Sequence, residues 1–255
     1  MATIPSMRFA LLLTCEHATC AIPAEYESYF RSRRAQRDLR HHRGFDPGAL
    51  DVAQFLSDRT GAPLICGEVS RLLVDLNRSP HAPDLFSTYL QRAGATIRAR
   101  ILERYYFPYR QRVETTVAQM IAERRTALHL SIHTFTPILA GQRRDFDVGV
   151  LFDPDRELET QVSRMLLGSL REDGLRVELN RPYLGVDDGL TTYLRTRFPS
   201  TAYAGIELEV TNRIARFRSE RRVRWCQALL RGIQQTAAQG GPVDAPPVIP
   251  PSTDA

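Results

Sequence analysis

Lysine is missing altogether: every one of the 34 basic residues in this 255-residue chain is arginine. Set against 29 acids, they leave a net charge of +5 and an isoelectric point near 9.3. The arginines are scattered among the acids, which points to a coding preference and away from a nucleic-acid partner. The densest group, Arg213, Arg216, Arg218, Arg221, Arg222 and Arg224, has Glu220 among it and falls on a predicted helix, the pattern of a solvated face. Cysteine is scarce. Cys15, Cys20, Cys66 and Cys226 show no zinc-finger spacing, and the pair flanking His17 is a weak metal signal alone, so reduced thiols are expected. Long apolar runs are absent too. The run over 9–13 is too short to span a membrane or form a secretory signal core, so a soluble cytoplasmic protein without a membrane partner is expected. No repeat and no central linker divides the chain.

What is present suits one large domain. Hydrophobic residues make up 43% of the chain, enough for a sizeable core. Apolar runs predict buried strands over 9–14, 63–67, 72–76, 127–132, 148–152, 175–179 and 203–210. Asp46 and Pro47 predict a helix start, with Leu50, Ala53 and Leu56 at helical spacing, Val52 and Phe55 widening the stripe, and Gly61 after the end. Helices are also predicted over 95–125, with Pro108 kinking or dividing it, and over 156–171 and 218–238. Strands alternating with helices imply an α/β fold, a single-domain mixed and largely parallel sheet with helices on both faces. That domain is expected over 1–239, followed by a Pro- and Gly-rich, disordered tail over 240–255.

Candidate chemistry gathers at strand ends, where ligands bind in open α/β sheets. His17 follows the first predicted strand and His133 follows the strand over 127–132. A lone histidine in such a place is more often structural, but two at the ends of separate core strands make a shared site credible. A hydrolytic metal site takes three protein ligands and keeps one position for water. The carboxylate is either Asp46, whose bland role is a helix N-cap, or Glu16, which points away if the strand stays extended and reaches the site only through a turn; Asp46 is preferred. His129, within the strand, is read as packing or outward-facing, and His41 and His42 as exposed. Asp75, in an apolar predicted strand, needs a partner, with Arg71 or Arg78 available. Asn77 and Arg78 suit recognition of a carboxylate, the competing role being a structural ion pair. Glu207 and Glu209 share one face of a strand; they mark a wet edge, or one of them is a general base, in which case Glu209 lies nearer the carboxyl end.

The motifs built on Glu16-His17, Asp46-x-Gly48, Ser70-Arg71 with Asp75, Asn77 and Arg78, Pro108-Tyr109, Ser131-x-His133 with Pro137, Gly149, and Glu209-x-x-Asn212 follow one another in an order that resembles the N-formylglutamate amidohydrolase family over about residues 9–214. That family is similar to zinc carboxypeptidases and related amidohydrolases. The resemblance implies a zinc-carboxypeptidase-like (phosphorylase/hydrolase-like) domain with Zn2+, or another divalent metal, on His17, Asp46 and His133. It implies Asn77 and Arg78 on a substrate carboxylate, Glu209 as general base and then acid, and Arg71 on the scissile carbonyl. The implied substrate is a small N-acyl amino acid such as N-formylglutamate. Arg110 departs from the family pattern, in which a histidine follows Pro-Tyr. A zinc peptidase or cell-wall amidase on the same scaffold, or a non-catalytic arginine-rich binding protein, are the rival expectations.

Overall fold

The computed structural model describes residues 9–123 and 125–239; the expected tail over 240–255 lies outside them. The strands are β1 (Phe9–Cys15), β2 (Leu64–Cys66), β3 (Thr126–Phe135), β4 (Ile138–Leu139), β5 (Gln142–Arg143), β6 (Val148–Leu151), β7 (Val177–Leu179) and β8 (Tyr203–Thr211). β4 and β5 form a small hairpin, and the other six make one sheet in the order β2-β1-β3-β8-β6-β7. Neighbours from β2 through β8 are parallel; β6 runs antiparallel to β8, and β7 follows the direction of β6. The carboxyl ends of β1, β3 and β8 therefore lie side by side.

Among the described residues seven α-helices pack around the sheet: α1 (Arg33–Leu39), α2 (Ala49–Thr60), α3 (Ala95–Ile101), α4 (Phe107–Ala122), α5 (Glu157–Glu172), α6 (Leu190–Arg197) and α7 (Ser219–Gln239). Strand alternation decides which residues meet them. Leu11, Leu13, Leu128, Leu130, Ile132, Ile206, Leu208 and Val210 bury on one face against α2, α5 and α7. Leu12, Ala127 and Tyr203 turn to the other face, against α3, α4 and α6. Helices thus cover both faces. Truncating Leu130, fully buried at the sheet centre, to alanine removes packing worth about 2–5 kcal/mol.

The second face becomes polar toward the strand ends. β3 contributes His129, Ser131 and His133 in alternation, and β8 contributes Glu207 and Glu209, with His133 in register with Glu209. His129 is a packed residue. Its ring nitrogens lie 2.8 Å from Thr14 Oγ1 and 2.8 Å from the Tyr203 hydroxyl, and burial lowers its pKa to about 4, so the ring stays neutral.

Several expectations need correction. Residues 72–76 are not a strand. Leu73 N donates to Ser70 O and Arg78 N to Asp75 O, so the stretch is a series of turns. Leu73, Val74 and Leu76 are all buried, and an apolar run inside packed turns cannot be told from a strand by pattern alone. The helix over 95–125 is divided as expected, but the break is a π-helical turn, Leu102–Tyr106, and Pro108 lies just after it in the first turn of α4. Leu50 faces outward, and the buried stripe of α2 is Ala49, Val52, Ala53, Leu56 and Thr60. Helix α6 has no counterpart in the sequence reading. Among the described residues no helix is long and apolar enough to cross a membrane.

Candidate active site

β1 ends at Cys15, and the chain turns at once through Glu16 and His17. His17 O accepts a hydrogen bond from Asp46 N (2.9 Å), which ties the segment before α2 to the end of β1. The residue capping α2 is Gly48, in a left-handed conformation (φ 89°), so Asp46 is not the N-cap. Its carboxylate is left for other partners. Asp46 Oδ2 lies 2.9 Å from His133 Nδ1, 3.3 Å from the Thr134 amide and 3.4 Å from His17 Nδ1. His17, Asp46 and His133 each offer a ligand atom within 4.8 Å of the other two, and all three residues are buried.

The outer nitrogens of both imidazoles are committed elsewhere. His17 Nε2 lies 2.7 Å from Asp75 Oδ1, and His133 Nε2 lies 3.1 Å from Glu16 Oε2. A carboxylate behind each ring holds its Nε2 edge and leaves Nδ1 as the atom that faces Asp46. Two nitrogen donors, one carboxylate oxygen and a fourth direction facing a cavity fit zinc in a hydrolytic site. Glu16, the alternative carboxylate, takes a different place. The turn aims its side chain behind His133, where it also accepts from Ser131 Oγ (2.6 Å) and the Tyr109 hydroxyl (2.9 Å), outside the three-residue group. Burial alone would raise the Glu16 and Asp46 pKa values, but contacts with His133 and His17 hold both carboxyls well below the usual range. Burial opposes protonation of His133 in turn, and its contacts with Asp46 and Glu16 overcome it and raise its pKa.

Glu209 stands apart. It lies in register with His133 on one side and Gly149 of β6 on the other. A Cβ at Gly149 would clash with the carbonyl of Arg181, so only glycine lets the chain after β7 pass here, and it would crowd Glu209 Cβ at 3.3 Å. Glu209 Oε2 is buried and has no hydrogen-bond partner among the described residues. Burial, reinforced by the charges of Asp46 and Glu207, raises the carboxyl pKa to about 7. Glu207 is tied instead, accepting from Thr191 Oγ1 of α6 at 2.9 Å. The two acids of the strand thus have different fates.

The turn segment supplies the remaining groups. Asp75 pairs with Arg71, at 3.0 Å from Nε and 2.8 Å from Nη2, so its partners are both Arg71 and His17. Arg71 Nη1 also lies 3.6 Å from Asp46 Oδ1. Asn77 Oδ1 accepts from the Leu190 amide at the head of α6 (2.6 Å). Arg78 spans Asp84 (3.0 Å) and the Asp188 carbonyl (2.8 Å), and its own carbonyl accepts from Tyr106 and Arg110, each at 2.6 Å. Arg110, the departure from the family pattern, thus holds the backbone of Arg78.

A cavity of about 210 Å³ collects His17, Asp46, His133, Arg71, Asn77, Arg78 and Glu209 on its walls. Asn212 is not among its lining residues and donates to Thr136 Oγ1 (3.2 Å) beyond the end of β8. His42, read as exposed from the sequence, also lines the cavity, as do Arg144, Tyr183, Asp187 and Asp188 from loops that the sequence did not single out as site residues. Asp188 accepts from the Ser79 amide (2.9 Å), closing the loop before α6 onto the turn segment. No periodic signal marks such loop residues. The arginine group near α7 is largely exposed, and Arg222 pairs with Asp51 (3.0 Å), consistent with a solvated face.

No curated protein matches the chain. Among solved structures, a gene product of Agrobacterium tumefaciens is 26% identical, with a TM-score of 0.76 over 90% of this chain and 92% of that one. An N-formylglutamate amidohydrolase from Ralstonia eutropha, 18% identical, shares the fold with a TM-score of 0.65 over 92% of this chain and 94% of its own. The family model for N-formylglutamate amidohydrolase matches residues 9–215, nearly the whole described chain. The chain therefore belongs to the N-formylglutamate amidohydrolase family.

Proposed function

We propose that this protein is a zinc-dependent amidohydrolase that cleaves the amide bond of an N-acyl amino acid of the N-formylglutamate type. The observation that carries the proposal is the convergence of His17, Asp46 and His133 on one point, with the unpartnered Glu209 carboxylate on the same cavity wall. A divalent cation on those three residues supplies Lewis-acid polarisation of the acyl carbonyl and lowers the pKa of water.

The chain's own groups account for the rest. Arg78, braced by Asp84 and Asp188, presents its guanidinium to the substrate carboxylate beside Asn77 and so sets the direction of the amide. Arg71, held by Asp75, faces the carbonyl oxygen as negative charge develops there. Glu209 takes a proton from the attacking water through its free oxygen. As the water oxygen bonds to the acyl carbon and the C–N bond breaks, Glu209 returns the proton to the leaving nitrogen. The products are a carboxylate and a free amino acid. A carboxyl with a pKa near 7 suits both halves of this transfer. The test is turnover of N-formylglutamate by purified protein, its loss to a chelator and its recovery with zinc; turnover indifferent to complete metal removal would refute the proposal.

A further inference from the structure

Beside the cavity at the metal site lies a second cleft of about 540 Å³, and His42, Arg71 and Leu139 line both. The walls of this cleft include Leu72, Pro83, Phe86, Thr88 and Tyr89. Its three acids, Asp38, Asp75 and Asp84, are each paired with an arginine. Asp38 lies 3.6 Å from Arg43 and 4.0 Å from Arg34, and accepts from the Tyr89 hydroxyl at 2.6 Å, while Asp84 is bound to Arg78. The cleft therefore offers aromatic and aliphatic walls with paired charges, a surface suited to an uncharged group.

A formyl group carries only hydrogen beyond its carbonyl carbon and would leave this space to water. We infer that the cleft beyond Arg71 receives the acyl half of the substrate, and that the preferred substrates carry an uncharged acyl chain of several carbons. The inference rests on the proposed amide hydrolysis. With the carbonyl at Arg71, which lines both spaces, the acyl substituent has the cleft beside it. Full burial of a methylene is worth about 0.8 kcal/mol, or about fourfold in affinity. Partial cover by an open cleft sets the expectation for a five-carbon extension at about tenfold or more.

The test compares kcat/KM for N-formyl-, N-acetyl-, N-butyryl- and N-hexanoylglutamate on the zinc-loaded full chain and on Thr88→Trp, which fills the cleft from an exposed position. The inference predicts a rise of about tenfold from formyl to hexanoyl, abolished in Thr88→Trp while formyl turnover stays within about twofold. It also predicts tighter binding of N-hexanoylglutamate than N-formylglutamate to the Glu209→Gln protein by calorimetry. Turnover that falls as the acyl chain lengthens, or a Thr88→Trp effect equal across the series, overturns the inference and leaves the amidohydrolase reading standing. No turnover of any member overturns both.

Discussion

Replacing Glu16 by glutamine separates a ligand from a residue that positions one. Glu16 is fully buried and accepts three contacts: Tyr109 on Oε1, and Ser131 and His133 on Oε2. It reaches His133 at Nε2, the nitrogen turned away from Asp46. Loss of such an outer carboxylate lowers metal affinity about 10–100-fold, or about 1.4–2.7 kcal/mol. The amide brings a second cost. One of its two heads is an NH2 donor where two oxygens accepted, so it faces either the Tyr109 hydroxyl or the Ser131–His133 pair, at about 1–3 kcal/mol of folding stability. Zinc affinity measured by chelator competition, together with thermal unfolding of the metal-free protein, reads the two effects apart. Glu16→Gln is expected to bind zinc about 10–100-fold more weakly and to melt earlier, while Asp46→Asn loses at least another tenfold in affinity. Unchanged affinity in Glu16→Gln would refute the positioning argument. Loss as complete as in a ligand variant would make Glu16 itself a ligand.

Other consequences follow from the same geometry. Glu209→Gln is expected to keep the metal and lose about 10²–10⁴-fold in kcat, and the acid limb of the wild-type pH profile, at or below pH 7, is expected to disappear in it. In the metal-free protein the raised Glu209 pKa favours the protonated fold, so this group's contribution to stability is complete below pH 4.5 and is lost as pH rises through 7. Glu209→Gln should consequently melt higher than wild type at pH 8, with the gap closing toward pH 4.5, and an equal gap at both would contradict the burial of a lone carboxyl. Arg78→Ala is expected to raise KM for N-formylglutamate far more than it lowers kcat, with Arg78→Lys recovering little because an ammonium lacks the two-pronged geometry.

Much of this site was legible in the order of residues because strand alternation is a strict rule. His129, Ser131 and His133 share a face by spacing alone, as do Glu207 and Glu209, and apolar runs mark β1, β3 and β8 as core strands. What was not legible depends on tertiary partners. Asp46 precedes proline and looks like a helix cap, yet Gly48 takes that place because its left-handed turn aims the carboxylate at the histidines. Glu16 follows an extended strand and would point away, but a turn starting at that residue reverses it. The run around Asp75 alternates like a strand, but its backbone bonds close turns and Asp75 holds them through the Asn77 amide, His17 and Arg71. Helix α6 is short and follows a loop with few apolar residues, so its pattern lacks the length that makes a helix visible.

The most direct measurement is the metal content of the purified protein beside that of His133→Ala, each assayed for N-formylglutamate hydrolysis. One zinc per chain in the wild type, with metal and turnover lost together in a folded His133→Ala protein, is the predicted result. Full turnover by His133→Ala protein verified to be metal-free would contradict the assignment of this cluster as the catalytic centre.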